Sequence, residues 1–178
     1  NSWSSAGTDF HGAIQALYAA GIYFSKSAGN TGSNCSTITN PGQWPEVTAT
    51  AAFASGDTIA SFSSRGPVYI GYDVFMKPDI AAPGSSVRSS LPTDSYGTMS
   101  GTSMACPHVT GAVALLISAN PELAGKIDIL QMLLKTTAEP KISAQCTPFV
   151  DHPNDVWGWG ILDIYAAVLE AQTVTLGE

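Results

Sequence analysis

The stretch Thr98-Met99-Ser100-Gly101-Thr102-Ser103-Met104-Ala105-Cys106-Pro107-His108-Val109-Thr110-Gly111 crowds hydroxyls and small residues against the start of an apolar helical pattern. A serine at the N-terminus of a buried helix sits where unpaired backbone N–H groups and the positive end of the helix dipole converge, and that setting stabilises negative charge. Acyl transfer develops such charge on the carbonyl oxygen of a tetrahedral intermediate. A nucleophilic Ser103 would attack while its own N–H helps to hold that oxyanion. The plainer role for Ser103 is an N-cap hydroxyl. Pro107 and Gly111 weigh against it, because each lowers helix stability unless close packing or an unusual first turn requires it. His108 follows Ser103 by five residues, which on a regular helix is about 140° around and about 7.5 Å along the axis. A general base must come within about 2.6–3.2 Å of the hydroxyl. His108 is therefore expected to be a packed, hydrogen-bonded structural residue. His11, opening another helical pattern, and His152, in the loop Asp151-His152-Pro153-Asn154-Asp155, have no surrounding pattern that marks a base.

The elements that must position Ser103 follow from periodicity. Phe10 to Ala20 is helical in pattern, with Phe10, Ile14, Leu17 and Tyr18 on its apolar side, Thr8 and Asp9 as capping residues and Gly21 as its stop. An apolar strand, Gly21 to Ser27, follows at once. A helix feeding directly into such a strand predicts an α/β fold, a parallel sheet with helices on both faces, with function at the carboxyl ends of the strands. The turn Ser27-Ala28-Gly29-Asn30-Thr31-Gly32 stands at that end and displays one amide side chain. Residues 34–45 read as loop, and 46–53, 58–63 and 79–82 as short strands. Helical patterns return at 104–119, 126–135 and 162–172. The first of these is apolar nearly all round, which predicts an interior position.

The 178 residues suggest one domain with a single core, and 44% hydrophobic with 12% charged residues argues against a disordered chain. Seven basic against fourteen acidic residues give a net charge of −7. No Lys/Arg stripe is available to neutralise a row of phosphates, so no nucleic-acid partner is expected. The apolar run at Ala112–Ile117 falls short of the roughly 20 residues that cross a bilayer, so no membrane association is expected. Asn1-Ser2-Trp3-Ser4 does not read as a signal peptide. Of three cysteines, Cys106 reads as a buried free thiol, while Cys35 and Cys146 lie in polar loops and could pair if the compartment is oxidising, a bond that their spacing does not establish. Asn34-Cys35-Ser36 matches a glycosylation pattern that matters only in a eukaryotic secretory setting. No group of Asp, Glu and Asn has calcium-loop spacing.

Gly101-Thr102-Ser103-Met104-Ala105-Cys106-Pro107-His108-Val109-Thr110-Gly111 resembles the nucleophile motif of the subtilases, the subtilisin-like serine peptidases. Ser27-Ala28-Gly29-Asn30 resembles that family's oxyanion-asparagine turn, and Ser61-Phe62-Ser63-Ser64-Arg65-Gly66-Pro67 its SFSSRGP segment. Lys77-Pro78-Asp79-Ile80-Ala81-Ala82-Pro83-Gly84 is similar to its KPDIxAPG stretch, and Gly158-Trp159-Gly160-Ile161-Leu162-Asp163 to its closing GxGxxD helix start. The run Ser27 to Asn40, with Thr136-Thr137-Ala138-Glu139-Pro140, is similar to the bacillopeptidase F-like branch. The resemblance implies that Ser103 forms the acyl-enzyme and that Asn30 is a side-chain oxyanion donor beside the Ser103 N–H. It implies that Ser2-Trp3-Ser4 and Ala28-Gly29 line the primary specificity pocket, the former also pairing with extended peptide. Polypeptide substrates and secretion follow from it, and no cofactor is expected, although some subtilases bind calcium.

The departure from the family is large. Its triad runs Asp, His, Ser along the chain, yet only twenty-nine residues precede Asn30, and neither an Asp-Thr/Ser-Gly nor a His-Gly-Thr-His segment is among them. Asp9 and His11 open a helix and do not fit the pattern. The favoured expectation is that residues 1–178 are the C-terminal portion of one subtilisin-like catalytic domain, lacking its N-terminal strands, with Asp and His supplied by an upstream portion. This chain alone would then be inactive. The alternatives are a catalytically inactive peptide-binding module, and a serine served by a base from an unrelated partner.

Overall fold

The computed structural model describes residues 10–146 and 152–176. Helix α1 (His11–Ala19) ends in a turn at Ala20 and Gly21, and the chain enters strand β1 (Ser25–Ser27). The strand is shorter than the expected 21–27, and Ile22, which opens that apolar run, is half exposed. Strand β2 (Thr48–Ala54) is the sheet's central member. It pairs in parallel with β1 through residues 48–50, and its far end turns back on the two-residue β3 (Thr58–Ile59). A β4–β5 hairpin (Val68–Ile70, Asp73–Phe75) intervenes before β6 (Ile80–Pro83), which lies parallel to β2 with Thr50 opposite Ile80. A second hairpin, β7 (Val87–Leu91) and β8 (Ser95–Met99), delivers the chain to helix α2 (Thr102–Ala119). Helices α3 (Ile127–Thr136) and α4 (Ile164–Ala171) complete the order.

The period-2 alternation of the strands sorts the core. Ala52, Ile80 and Ala82 face α2, α3 and α4 and join Val109, Val113, Leu116, Leu130, Leu133 and Leu134 in the main cluster. Ala51 and Ala81 point the other way, onto Val156, Trp157 and Ile161. Alanines along β2 and β6 let α2 approach the sheet closely. Helix α1 packs separately through Ile14 against Trp44 and Val47. Each Leu or Val withdrawn from water in this way contributes about 1.5–3 kcal/mol.

Helix α2 is not interior all round. Its buried residues, Thr102, Ala105, Val109, Ala112, Val113 and Leu116, form one stripe at helical spacing. Pro107, Gly111, Ala114 and Leu115 on the far side are exposed. The far face is built of small and apolar residues, so composition alone did not distinguish it from a buried one. The same composition makes α2 long and apolar enough to cross a bilayer, but its buried stripe is spent on β1, β2 and β6. One side chain fastens its end to α4: Asn120 Nδ2 donates to Ala171 O and Val174 O, each at 3.0 Å. Asp163 caps α4 itself by accepting from Ala166 N at 2.8 Å.

Candidate active site

The parallel strands β1, β2 and β6 bring two distant segments together at their carboxyl ends: the turn after β1 and the start of α2. Ala28 N donates to Thr50 O at 2.9 Å, continuing the β1–β2 ladder into the turn. Gly29 then adopts φ +115°, a region that glycine tolerates and other residues do not, and a Cβ there would sit 2.7 Å from Ser64 Oγ. Ser64 N donates to Gly29 O at 2.9 Å, and Gly29 N donates to Thr102 Oγ1 at 3.2 Å. Ala28 and Gly29 are thus buried backbone with fixed partners, and Asn30 is the first exposed residue beyond them.

Asn30 is oriented by Thr102. Its Oδ1 accepts from Thr102 N at 2.9 Å and from Thr102 Oγ1 at 2.8 Å. A backbone N–H can only donate, so the atom facing Thr102 is the amide oxygen and the Nδ2 donors face the other way. Gly101 allows the approach, since a Cβ there would come within 3.3 Å of Asn30 Nδ2. Thr102 is fully buried. Its neighbour Ser103 is half-buried and opens onto a cleft of about 330 Å³ lined also by Val87, Arg88, Ser89, Met104, Pro107 and His108.

Ser103 is not the N-cap. Gly101 holds that position without a side-chain cap bond, and Met104 N donates to Gly101 O at 2.9 Å. Ser103 therefore lies in the first helical turn, where its N–H has no acceptor among the described residues. The sites expected from sequence come together in part: Ala28, Gly29, Asn30 and Ser103 converge through Thr102. Ser2, Trp3 and Ser4 lie outside the described residues. His108 Nδ1 donates to Met104 O at 2.9 Å, His11 pairs with Glu46 at 3.2 Å and stacks on Trp44, and His152 bonds Trp159 O. None of the three is hydrogen-bonded to Ser103.

Several positioning residues escaped the sequence reading. Ser63 Oγ accepts from Ala52 N at 3.0 Å, and Ser64 Oγ accepts from Thr31 N at 3.2 Å. Arg65 Nη1 donates to Ser33 O at 3.1 Å and to Gln145 Oε1. The loop after Asn30 is thereby fastened along 63–65. Cys35 and Cys146 form a disulfide, with Cα atoms 5.2 Å apart, that closes the same loop against a late segment. Cys106 is free, with Sγ 3.4 Å from Ser25 Oγ.

Beneath the sheet ends lies a buried ionic cluster. Asp79 Oδ2 accepts from Lys77 Nζ at 2.6 Å and from Ala49 N at 2.7 Å, and Lys135 Nζ of α3 stands 3.0 Å from Oδ1. Burial pushes the Asp79 carboxyl up, but the two ammonium groups and the amide outweigh it and hold the acid below its ordinary value. Lys77 Nζ also donates to Val47 O at 2.6 Å. The cluster joins β2, β6 and α3 and plays no part in contacting Ser103. Asp155 has the opposite character. Burial raises its carboxyl to about 6, only partly offset by a bond from the Lys77 backbone, and its Oδ1 is buried without a hydrogen-bond partner among the described residues.

A small-residue turn carrying an anchored amide, set against a serine in the first turn of a sheet-packed helix, is the arrangement of a subtilisin-like α/β fold. The chain belongs to the subtilase family, whose profile matches residues 1–160. It is 39% identical over 186 residues to bacillopeptidase F of Bacillus subtilis (strain 168), covering 100% of this chain and 12% of that protein. To subtilisin DY of Bacillus licheniformis it is 40% identical over 165 residues, covering 92% of this chain and 53% of that one. The solved structure of the prenylagaramide maturation protease PagA superposes with a TM-score of 0.73 at 28% identity, over 98% of this chain and 59% of that one. The chain thus spans less than two thirds of the length of these relatives.

Proposed function

We propose that this chain carries the nucleophile and the oxyanion donors of a secreted serine endopeptidase, and that the catalytic His and Asp come from an upstream portion of the same catalytic domain. Ser103 Oγ attacks the scissile carbonyl while the upstream His accepts its proton, and the upstream Asp orients that His. The oxyanion is met by Asn30 Nδ2 and the Ser103 N–H, the acyl-enzyme on Ser103 forms as the amine leaves, and water resolves it. The observation that carries this reading is the double anchorage of Asn30 Oδ1 on Thr102, the residue directly before Ser103, which turns the amide nitrogen away from Thr102 and leaves it without a hydrogen-bond partner among the described residues.

Three surfaces support the upstream partner. Within the sheet β1 pairs with β2 alone among the described strands. An apolar groove of about 350 Å³ lined by Phe10, Ala13, Ile14, Leu17, Phe24 and Pro41, and also by Lys26, opens beside it, and the far face of α2 at Gly111, Ala114 and Leu115 is bare among the described residues. The Cys35–Cys146 disulfide fits an oxidising compartment, which supports secretion. Polypeptide substrates follow from the same site.

Ser103→Ala in the full encoded protein should abolish both peptide hydrolysis and labelling by a fluorophosphonate probe. Hydrolysis that survives the substitution would end the nucleophile assignment. Labelling of residues 1–178 purified alone, at the rate of the full protein, would refute the upstream base. Saturable peptide binding without turnover by the full protein would instead establish an inactive binding module.

A further inference from the structure

Ser103 has two flanks of different chemistry. One is the Ala28–Asn30 turn, reached through Thr102. The other is the cleft lined by Val87, Arg88, Ser89, Met104, Pro107 and His108, which shares no residue with that turn. If the acyl side of a substrate lies along the turn, the strand of the leaving group passes over the cleft. The cleft presents aliphatic and thioether surface, a hydroxyl, an imidazole and a guanidinium, and no carboxylate among the described residues lines it.

Of the Lys and Arg side chains among the described residues, Arg88 is the one that lines this cleft. Its guanidinium lies over the Tyr96 ring, 4.3 Å from the centroid, a diagonal contact across the β7–β8 ladder, where Arg88 is opposite Thr98 and Tyr96 opposite Ser90. Stacking occupies one face of the guanidinium and holds it open, leaving the in-plane N–H donors uncommitted. Lys77 and Lys135 are bonded to Asp79, and Lys141 to Asp57 and Glu139, and Arg65 is spent on Ser33 and Gln145. Arg88 has no hydrogen-bond or ion-pair partner among the described residues, in a chain with twice as many acids as bases. A rigid planar fork of donors matches a carboxylate in a way that an ammonium does not.

We infer that Arg88 is a specificity-determining residue that selects substrates bearing an acidic side chain within the first two residues after the scissile bond. The inference rests on the peptidase reading above. An ion pair at an exposed cleft wall supports a preference of about three- to fivefold for Glu over its uncharged isostere Gln, and salt screens it.

The test uses the full encoded protein and internally quenched peptides that differ only by Glu, Gln or Lys at the first or second position after the cleaved bond. The Glu/Gln ratio of kcat/KM should be about three to five at one of those positions and shrink in 1 M salt. It should fall to about one in Arg88→Met and be partly kept in Arg88→Lys, and Arg88→Glu should favour the Lys peptide. Each ratio is taken within one preparation, so a lowered folded fraction cancels. A wild-type ratio near one at both positions, or a ratio that Arg88→Met leaves unchanged, overturns the assignment while peptide hydrolysis stands. If no peptide is cleaved and Ser103→Ala changes nothing, the peptidase reading falls and this inference falls with it.

Discussion

Thr102→Val isolates the anchoring of Asn30. Valine fills the volume of threonine but replaces the hydroxyl by a methyl group, at a position with no solvent access. Two contacts go: the 2.8 Å bond from Oγ1 to Asn30 Oδ1 and the 3.2 Å bond from Gly29 N to Oγ1. The bond from Thr102 N to Asn30 Oδ1 at 2.9 Å remains. Losing one net hydrogen bond costs about 1 kcal/mol, and the buried Gly29 N–H left without a partner costs about 1–3 kcal/mol more. The protein should therefore lose about 2–4 kcal/mol in urea denaturation. In catalysis, an amide freed from one of two anchors spends less time aimed at the oxyanion. About 1 kcal/mol of lost orientation lowers kcat some five- to tenfold, with KM within about twofold because the term acts on the transition state.

Removing the donor altogether is worse. In subtilisin itself, the family's reference case, deleting the oxyanion asparagine costs on the order of 10²–10³ in turnover, a magnitude carried over from that enzyme and not worked from this geometry. Asn30→Ala should fall in that range. If Thr102 acts only through Asn30, Thr102→Val should cost nothing further in kcat once Asn30 is alanine, and Thr102→Ser should restore kcat in the Asn30 background. Steady-state kinetics of the full encoded protein on one peptide measures all four corners. A five- to tenfold penalty that persists in the Asn30→Ala background would falsify the anchoring argument, as would an unchanged kcat in the single variant.

Two further outcomes follow from charge and covalent structure. Asp155 has its folded value raised to about 6, above the ordinary value of about 3.9. Between about pH 4 and 6 the folded state therefore holds the proton more tightly than the unfolded one, and stability falls as pH rises through that window. Asp155→Asn should add about 1–2 kcal/mol at pH 8, the full shift being discounted for partial solvation, and should flatten that slope in denaturation curves taken from pH 4 to 8; an unchanged slope refutes it. Cys35→Ser with Cys146→Ser releases a crosslink across 111 residues of sequence and should cost about 2–4 kcal/mol in urea denaturation, whereas equal stability with and without reductant in the parent protein would show that the bond contributes nothing.

The helices and the two segments that meet at the candidate site were legible in the sequence because both signals are local. The nucleophile motif is contiguous, and the turn holding Asn30 is announced by small residues directly after an apolar strand. What it did not disclose is long-range or polar. Thr102 meets Asn30 across 72 positions, and Lys135 meets Asp79 across helices and strands with no pattern joining them. The β7–β8 hairpin was missed because its strands, VRSSL and SYGTM, are mostly polar and exposed, and Val87, Leu91 and Met99, interrupted by Ser89 and Gly97 on the same face, are too sparse to show the alternation by which a half-buried strand is recognised. That hairpin nevertheless forms a wall of the cleft beside Ser103. Helix α2 misled in the reverse direction, since a face of Ala114, Leu115 and Gly111 reads as buried by composition while it lies open.

These particulars separate two components of catalysis that usually arrive together. In the proposed reaction, proton transfer needs a base from elsewhere, since each of the three histidines is tied to a partner other than Ser103. The proposed oxyanion donors both belong to this chain. Gly29, Asn30, Ser64 and Thr102 are linked by hydrogen bonds, and the segment 63–65 holds the loop beyond them. Preorganised donors lower a barrier because they need no rearrangement as charge develops, and that rigidity is built from this chain's own backbone. On the proposed reading, Ser103 and Asn30 are therefore in register before any base is docked. What the proposed upstream portion must then achieve is narrower than assembling a site: it has to bring one imidazole within hydrogen-bond reach of the Ser103 hydroxyl.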